Sequence, residues 1–418
     1  MNTLENGKSN KLFMWIIFLI YPLGALILGI KNFQYKEYRI FILLFFVLFG
    51  YTFIVIPDSD GERNVQEFIS TKDYNIQKYI DDIKSVNKGT SDNKDYYVIT
   101  VKFITFFLSS NYKIFLLILS FFYFSVVLKF IGFVWDIVIF RNKDSLIYLI
   151  GLCFVINLSA GVSGVRFPMA FWVFSYGAIN LIVKNNYKYL FIAALSVLIH
   201  FSLGFSFVFL ILFYLSRYTS NLSLLLILLT LTFVVTLAFP ALVSANLNIF
   251  GGGLEEKINS YTNEDYIENR EDHLDEVNWY VKFNFFSYYY FTVIAILLTK
   301  IKKFKINSDL IGDRLFAFSI FLIIEATLTS SFLDSISNRY IMFVNLFGLV
   351  YLYYITCLNV GNKFLKFLRV VFIPILVINI LVKLRSDFYT ISPVLVFGNA
   401  ILVFIYDATI SVQDYLLG

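Results

Sequence analysis

Arg166 stands where a short polar turn containing Ser163 and Gly164 meets a long apolar segment that begins with Phe167 and Pro168. The first backbone N–H groups of a helix lack partners within the helix, and a guanidinium can form two parallel hydrogen bonds to a phosphate. Glycine lets an anion approach the backbone closely, and proline fits the first helical turn. We therefore predict that Arg166 and Gly164 bind a phosphate group. The alternative is an arginine that reaches out to lipid head groups.

Carboxylates and imidazoles elsewhere in the chain could exchange protons with a hydroxyl group. Asp60 lies in a turn with Asp58, where it could act as a general base, bind a divalent cation or cap backbone amides. The chain has two histidines, His200 in an apolar segment and His273 among acidic residues. Either could act as a base or as a partner of a diphosphate, although a buried structural histidine is the ordinary explanation for His200.

Two further arginines and one glutamate extend the set of candidates. Arg339 precedes an apolar segment as Arg166 does, but without glycines, and Arg270 lies close to His273. We predict that both arginines bind the same diphosphate. Glu325 is alone in an apolar segment, where a charge is costly in lipid, so it must face protein or water. A proton-coupling role for Glu325 would favour transport.

The composition identifies the class of protein that must position these residues. Of the 418 residues, 59% are hydrophobic and only 15% are charged, and apolar runs recur along the chain. This pattern predicts an all-α polytopic membrane protein and excludes a β-barrel of short alternating segments. The net charge of +5 is spread over short loops, which does not indicate nucleic-acid binding. Cys153 and Cys357 lie in apolar segments and indicate neither a disulfide nor a zinc site.

Hydropathy predicts one transmembrane domain over 1–418 with about 12–13 helices. Two long polar loops, 57–111 and 241–279, interrupt this domain. The first loop is predicted to end in an amphipathic helix. The predicted spans are 12–30, 39–56, 112–134, 146–160, 167–183, 189–202, 203–215, 222–240, 280–299, 311–330, 340–357, 367–383 and 394–409.

Lysine and arginine in the short loops predict which face is cytoplasmic. The basic groups near positions 31–39, 141–143, 184–188, 300–305 and 363–366 then share the cytoplasmic face, and both long loops lie outside. This topology requires 189–215 to be a hairpin of two short helices that turns near His200. It also places Asp60, Arg166, His200 and Arg339 at the outer ends of helices, together with Arg270 and His273, so one outward-facing site is predicted.

The order and spacing of these motifs resemble those of the exopolysaccharide and O-antigen polymerases of the EpsG/Wzy type. Four motifs carry the resemblance in order: the Asp turn 57–61, a piece leading through Asn111 into a span, the Arg166-x-x-x-Ala170 helix start, and His200-x-Ser202. The chain departs from the family at two positions. Phe167 stands where such polymerases usually have Gln, and Asn64 where they usually have Tyr.

The resemblance implies a lipid-dependent glycosyltransferase of the multi-helix, GT-C-like class. Such an enzyme joins undecaprenyl-diphosphate-linked oligosaccharide units at the outer face of the bacterial inner membrane. In this interpretation Arg166 and Arg339 hold the departing diphosphate and Asp60 or His200 activates the acceptor hydroxyl. Because arginine keeps its positive charge, we predict no obligatory metal ion and no cofactor.

The expected partners are the lipid-linked oligosaccharides, the bilayer and a chain-length regulator protein. A flippase for the same lipid-linked unit and a membrane O-acyltransferase stay open as alternatives.

Overall fold

The computed structural model describes residues 2–57, 59–71, 74–87, 96–138, 143–216, 278–330, 334–406 and 410–417. Within these residues the chain is helical and contains no β-strand. The predicted all-α class is therefore confirmed for the described part of the chain.

Nineteen α-helices, numbered here in chain order, make up the described fold. The first half contains α1 (Asn2–Ile20), α2 (Pro22–Lys31), α3 (Lys36–Tyr51), α4 (Asp60–Ser70), α5 (Ile76–Asn87), α6 (Tyr96–Leu108), α7 (Tyr112–Asp136), α8 (Leu146–Cys153), α9 (Ala160–Ser163), α10 (Arg166–Lys184), α11 (Lys188–Ile199) and α12 (Leu203–Leu215). The second half contains α13 (Trp279–Thr299), α14 (Leu310–Ser330), α15 (Asp334–Leu358), α16 (Lys363–Phe388), α17 (Pro393–Phe397), α18 (Ala400–Ile405) and α19 (Val412–Leu417).

Five of the described helices are long and apolar enough to cross a membrane. They are α7, α10, α13, α15 from Asn338 onward, and α16. Each lies within a few residues of a predicted span, because about 20 apolar residues are needed to cross the hydrocarbon. The total of 12–13 helices stays a prediction, since 222–240 lies outside the described residues.

Three predicted spans are not continuous helices. The segment 12–30 is divided at Tyr21 between α1 and α2, where Pro22 begins the new helix. The segment 146–160 contains only the eight residues of α8, followed by irregular backbone up to Ser159. The segment 394–409 contains α17 and α18, separated by Gly398 in an extended conformation.

The hydrophobic core surrounds α10, whose residues are buried over most of its length. Phe171 of α10 stacks on Phe343 of α15, with ring centres 4.4 Å apart. Trp172 is 2% exposed, and its indole Nε1 donates to the Tyr123 hydroxyl of α7 at 3.0 Å. Because every buried polar group of these rings is paired, α10 is held firmly between α7 and α15.

The long segment 57–111 forms the helices α4, α5 and α6. The helix predicted at its end is present as α6, and its position at a membrane surface stays a prediction. Lys102 of α6 is 3% exposed and pairs with Glu67 of α4 at 2.7 Å. Burial and a hydrogen bond to Asp82 raise the pKa of Tyr74, so this hydroxyl stays neutral and donates to Asp82. These contacts fasten the three helices to one another.

The basic residues assigned to the cytoplasm lie together at one end of the bundle. Seven contacts join the helices there: Arg39 with Asp136, Lys184 with Phe133, Arg314 with Ile182, Lys300 with Asp313, Tyr354 with Asp309, Cys357 with Ser145, and Arg369 with Asp144. Since α10 runs from Arg166 to Lys184, about 28 Å separates this end from the arginine. The predicted hairpin is also confirmed, as α11 and α12 pack against each other on either side of His200.

Candidate functional site

Arg166 begins α10 immediately after a strained turn. The preceding residue, Val165, has φ 40° and ψ −65°, and the Arg166 N–H donates to the Gly164 carbonyl at 2.6 Å. This is a γ-turn with a left-handed centre, a conformation that is costly for a β-branched residue. Val165 is fully buried, so surrounding packing holds the turn in place. Backbone strain of this kind is concentrated at functional sites, which supports a role for Arg166.

The predicted role of Gly164 as a free N–H donor is wrong. Its N–H donates to the Ala160 carbonyl at 2.9 Å, at the end of α9, and its backbone lies in the helical region. Gly161 is explained by packing, because a Cβ there would overlap the Tyr123 ring. Gly161 therefore permits close packing against Tyr123, and the N–H of Gly164 is occupied within the protein.

Phe167 is the residue around which the predicted site assembles. The Arg339 guanidinium carbon lies 5.2 Å from the centre of the Phe167 ring. The His200 ring meets the same phenyl ring edge-on, with centres 5.8 Å apart. Helix α15 thus brings Arg339, and the turn between α11 and α12 brings His200, to the residue of α10 that follows Arg166. The departure from the family pattern at position 167 lies at the centre of the site.

His200 is held in a defined orientation at the tip of the hairpin. It is 8% exposed, and its Nδ1 lies 2.7 Å from the Ser202 hydroxyl oxygen. The Ser202 carbonyl in turn accepts a hydrogen bond from the Tyr340 hydroxyl at 2.8 Å. Tyr340 follows Arg339, so two consecutive residues of α15 contact the hairpin and α10 respectively. One Arg339 nitrogen, Nη1, is buried without a hydrogen-bond partner.

Asp60 lies in the first turn of α4, close to the polar turn that precedes Arg166. Ser59 caps the helix by accepting the Glu62 N–H at 3.2 Å. A Cβ added at Gly61 would lie 3.2 Å from the Ser163 Cα, so α4 begins directly against α9. The Asp60 side chain is half-exposed and pairs with Arg63. The structure therefore brings Asp60 to the same end of the bundle, with an arginine partner that sequence analysis did not consider.

Three residues of α16 that no sequence motif indicated hold the irregular segment 154–159. Asn379 donates to the Phe154 carbonyl at 2.9 Å, and Lys383 donates to the Asn157 side chain at 3.0 Å. Asp387 accepts from the Leu158 N–H at 3.2 Å, the Ser159 N–H at 3.0 Å and the Ser159 hydroxyl at 2.6 Å. The spacing of four residues along α16 could have suggested one polar helix face, but not its partner.

Glu325 of α14 is completely buried, as its position in an apolar segment required. Its Oε1 accepts a hydrogen bond from the Ser206 hydroxyl of α12 at 2.5 Å, whereas Oε2 is buried without a hydrogen-bond partner. Ser206 lies one turn beyond the start of α12, so Glu325 is near the floor of the site and not at the opposite end of the bundle.

Arg270, His273 and Asp58 lie outside the described residues, and their predicted roles stay predictions. Among the residues that the structure does describe, His200 and Arg339 both contact Phe167, which follows Arg166 in the chain, and Asp60 lies beside the turn that precedes Arg166. Cys153 and Cys357 are both free thiols.

Helices long enough to cross a membrane define an all-α polytopic membrane protein, and Arg339 and His200 place its candidate site at the end opposite the basic cluster. The chain belongs to the EpsG family, whose model matches residues 37–394. The matched range contains Asp60, Arg166, His200 and Arg339, so the resemblance stated from the motifs is confirmed. Family membership indicates a polysaccharide polymerase of the membrane. No curated protein and no solved structure matches the chain significantly.

Proposed function

We propose that the protein is a glycosyltransferase that joins undecaprenyl-diphosphate-linked oligosaccharide units at the outer face of the bacterial inner membrane. The observation that carries this proposal is the convergence of Arg339 and His200 on Phe167, next to Arg166. Two arginines and one imidazole at the end of a membrane bundle suit a substrate with a diphosphate and a reacting hydroxyl.

The arginines stabilise the leaving group. As the bond between the anomeric carbon and the diphosphate oxygen breaks, its electron pair moves to the diphosphate, which gains charge. A guanidinium fixed at this position interacts more strongly with the transition state than with the bound substrate, and this difference lowers the barrier. Arg339 has an unpaired buried nitrogen available for such a contact.

His200 or Asp60 removes the proton from the acceptor hydroxyl as the new glycosidic bond forms. In the tautomer whose Nδ1–H donates to Ser202, the Nε2 lone pair of His200 can accept a proton. Asp60 is half-exposed and its carboxylate is already paired with Arg63. The geometry therefore favours His200 over Asp60 as the base.

The arginines also supply the positive charge that a divalent cation supplies in other transferases. We therefore expect catalysis without an obligatory metal ion. Activity of the purified protein that EDTA abolishes and Mg²⁺ restores would overturn this part of the proposal.

The test is reconstitution of the full chain in vesicles with a synthetic undecaprenyl-diphosphate oligosaccharide. A ladder of products, each longer by one repeat unit, is expected. The His200→Gln and Asp60→Asn variants separate the two candidate bases, with the larger loss expected for His200→Gln. Wild-type protein that inserts correctly but gives no product longer than the starting unit would contradict the proposed activity.

A further inference from the structure

A cavity of about 410 Å³ lies between α13 and α16, at the end of the bundle that holds Arg166. Polar side chains from three segments line it, including Asn157, Tyr280, Asn284, Lys383 and Arg385. Two of them are cations, and no carboxylate is present among the described residues of the lining. A cavity with this charge attracts an anion.

Asn284 adds a second requirement for the ligand. The residue is only 6% exposed, and its Nδ2 donates to the Asn379 side chain at 3.1 Å. Its own Oδ1 is buried and accepts no hydrogen bond. A buried carbonyl oxygen without a donor is costly, and an O–H group of a ligand would remove that cost. The ligand that suits the cavity therefore carries both an oxyanion and hydroxyl groups.

Lys383 and Arg385 retain donors for such a ligand. Lys383 donates one hydrogen bond to Asn157 at 3.0 Å, and an ammonium has three N–H groups. Arg385 contacts the Tyr280 hydroxyl through Nη1, and a guanidinium has five N–H groups. Asn157 and Tyr280 thus position the two cations. Asp387, one turn beyond Lys383, offsets part of the Lys383 charge, but its oxygens accept hydrogen bonds from Leu158 and Ser159.

The cavity lies beside an apolar surface that could hold a lipid chain. Trp279 and Phe283 of α13 are 76% and 55% exposed, and Leu381 of α16 is 63% exposed. These residues neighbour the cavity lining in sequence, so an anionic head group in the cavity could continue into hydrocarbon along the outer surface of α13 and α16. A lipid-linked saccharide has this combination of parts.

The irregular segment 154–159 connects the cavity with Arg166. Asn157 lines the cavity, and the residues after it are held by Asp387 before the chain passes through α9 to Arg166. A short segment of the chain therefore joins the cavity to Arg166, and α16 holds that segment in place. A ligand in the cavity would lie next to the residues that position the arginine.

We propose that this cavity binds the phosphate-bearing sugar of a second lipid-linked saccharide. The inference rests on the proposed function, because a polymerase of this type must hold a donor and an acceptor at the same time. Arg166 and Arg339 hold one of the two molecules, and Lys383 and Arg385 hold the other. Phosphatidylglycerol offers the same combination of phosphate and hydroxyl groups, so the test must separate the two sources.

The test measures the number of bound molecules per chain in phosphatidylcholine nanodiscs. The probe is a radiolabelled undecaprenyl-diphosphate oligosaccharide whose acceptor hydroxyl is methylated, so that no turnover occurs. Wild-type protein is expected to bind two molecules. Arg385→Gln is expected to weaken the binding of one of them by roughly tenfold to a hundredfold, and Arg166→Gln to weaken the other. Ser386→Glu, which places a negative charge in the cavity from an exposed position, should reproduce the effect of Arg385→Gln.

Lys366→Gln is the matched control, because it removes an exposed cation from the opposite end of α16. Two molecules bound with wild-type affinity by both Arg385→Gln and Ser386→Glu would overturn the cavity site, and Arg166→Gln would still test the proposed function. Loss of one molecule in Arg385→Gln with none in Arg166→Gln would support the cavity and contradict the role of Arg166. In phosphatidylglycerol nanodiscs, retention of both molecules supports a saccharide ligand, whereas displacement of one assigns the cavity to bulk anionic lipid.

Discussion

The guanidinium carbon of Arg339 lies 5.2 Å from the centre of the Phe167 ring, although 171 residues separate the two positions in the chain. The polymerases that the chain resembles usually carry glutamine where this chain has Phe167. An aromatic ring can hold the guanidinium by a cation–π contact without using its N–H donors. Nη1 of Arg339 is buried without a hydrogen-bond partner, so in the proposed function it is available to a phosphate while Phe167 orients the guanidinium.

Replacement of Phe167 by leucine should slow polymerisation while the protein stays folded. Leucine keeps most of the apolar volume but removes the cation–π contact, which contributes about 0.5–2 kcal/mol, or roughly a twofold to thirtyfold change in rate. The measurement is the rate of ladder formation by reconstituted protein. Phe191→Leu, at a position 70% exposed on α11, is the control. A wild-type rate for Phe167→Leu would show that Arg339 needs no aromatic partner.

Arg166→Lys should lose most of its activity and remain inserted in the membrane. Lysine keeps the charge but cannot form the planar, two-bonded contact with a phosphate, a loss of about 2–4 kcal/mol in the transition state. This corresponds to roughly thirtyfold to a thousandfold in rate. Lys184→Arg, at the other end of α10, should behave as wild type. Equal rates for Arg166→Lys and wild type would reduce Arg166 to a lipid anchor.

Asp387→Asn should destabilise the protein more than Ser159→Ala does. An asparagine oxygen could accept from both Ser159 donors, but its amide group would then face the Leu158 N–H and leave that donor unpaired at a cost of about 1–3 kcal/mol. Ser159→Ala removes only the hydroxyl, at about 1 kcal/mol. Thermal unfolding in detergent gives both values. The opposite order would mean that Asp387 does not hold the segment 154–159.

Cysteine labelling tests the orientation of the two ends. In a background without Cys153 and Cys357, a membrane-impermeant thiol reagent should label Asn263→Cys in intact cells and spare Lys303→Cys. The expectation follows from the basic residues gathered at one end of the bundle. Labelling of Lys303→Cys alone would invert the topology and move the candidate site to the cytoplasm.

A deletion strain distinguishes a polymerase from a flippase. Loss of a polymerase should leave single lipid-linked units on the outer face, whereas loss of a flippase should leave them on the inner face. Glu325→Gln adds a second measurement, because glutamine preserves the hydrogen bond with Ser206 and should leave polymerisation nearly unchanged. Units retained inside, together with an inactive Glu325→Gln variant, would favour transport.

The sequence by itself determined the all-α membrane class, most long helices, the hairpin at His200 and the separation of basic residues from the candidate site. These features follow from local hydropathy and charge, because lipid requires about 20 apolar residues per span and loops carry the positive charge. Local motifs also identified the EpsG family, which the match over residues 37–394 confirms.

Tertiary structure decided where the helices break and what surrounds the arginine. The chain leaves helical geometry at 154–159 because Asn379, Lys383 and Asp387, more than 200 residues away, pair with that segment. Non-helical backbone is stable inside a membrane protein only when other protein groups satisfy it, and hydropathy does not contain that information. The contact of Phe167 with Arg339 is of the same kind, since side chains from distant segments meet only after the bundle has packed.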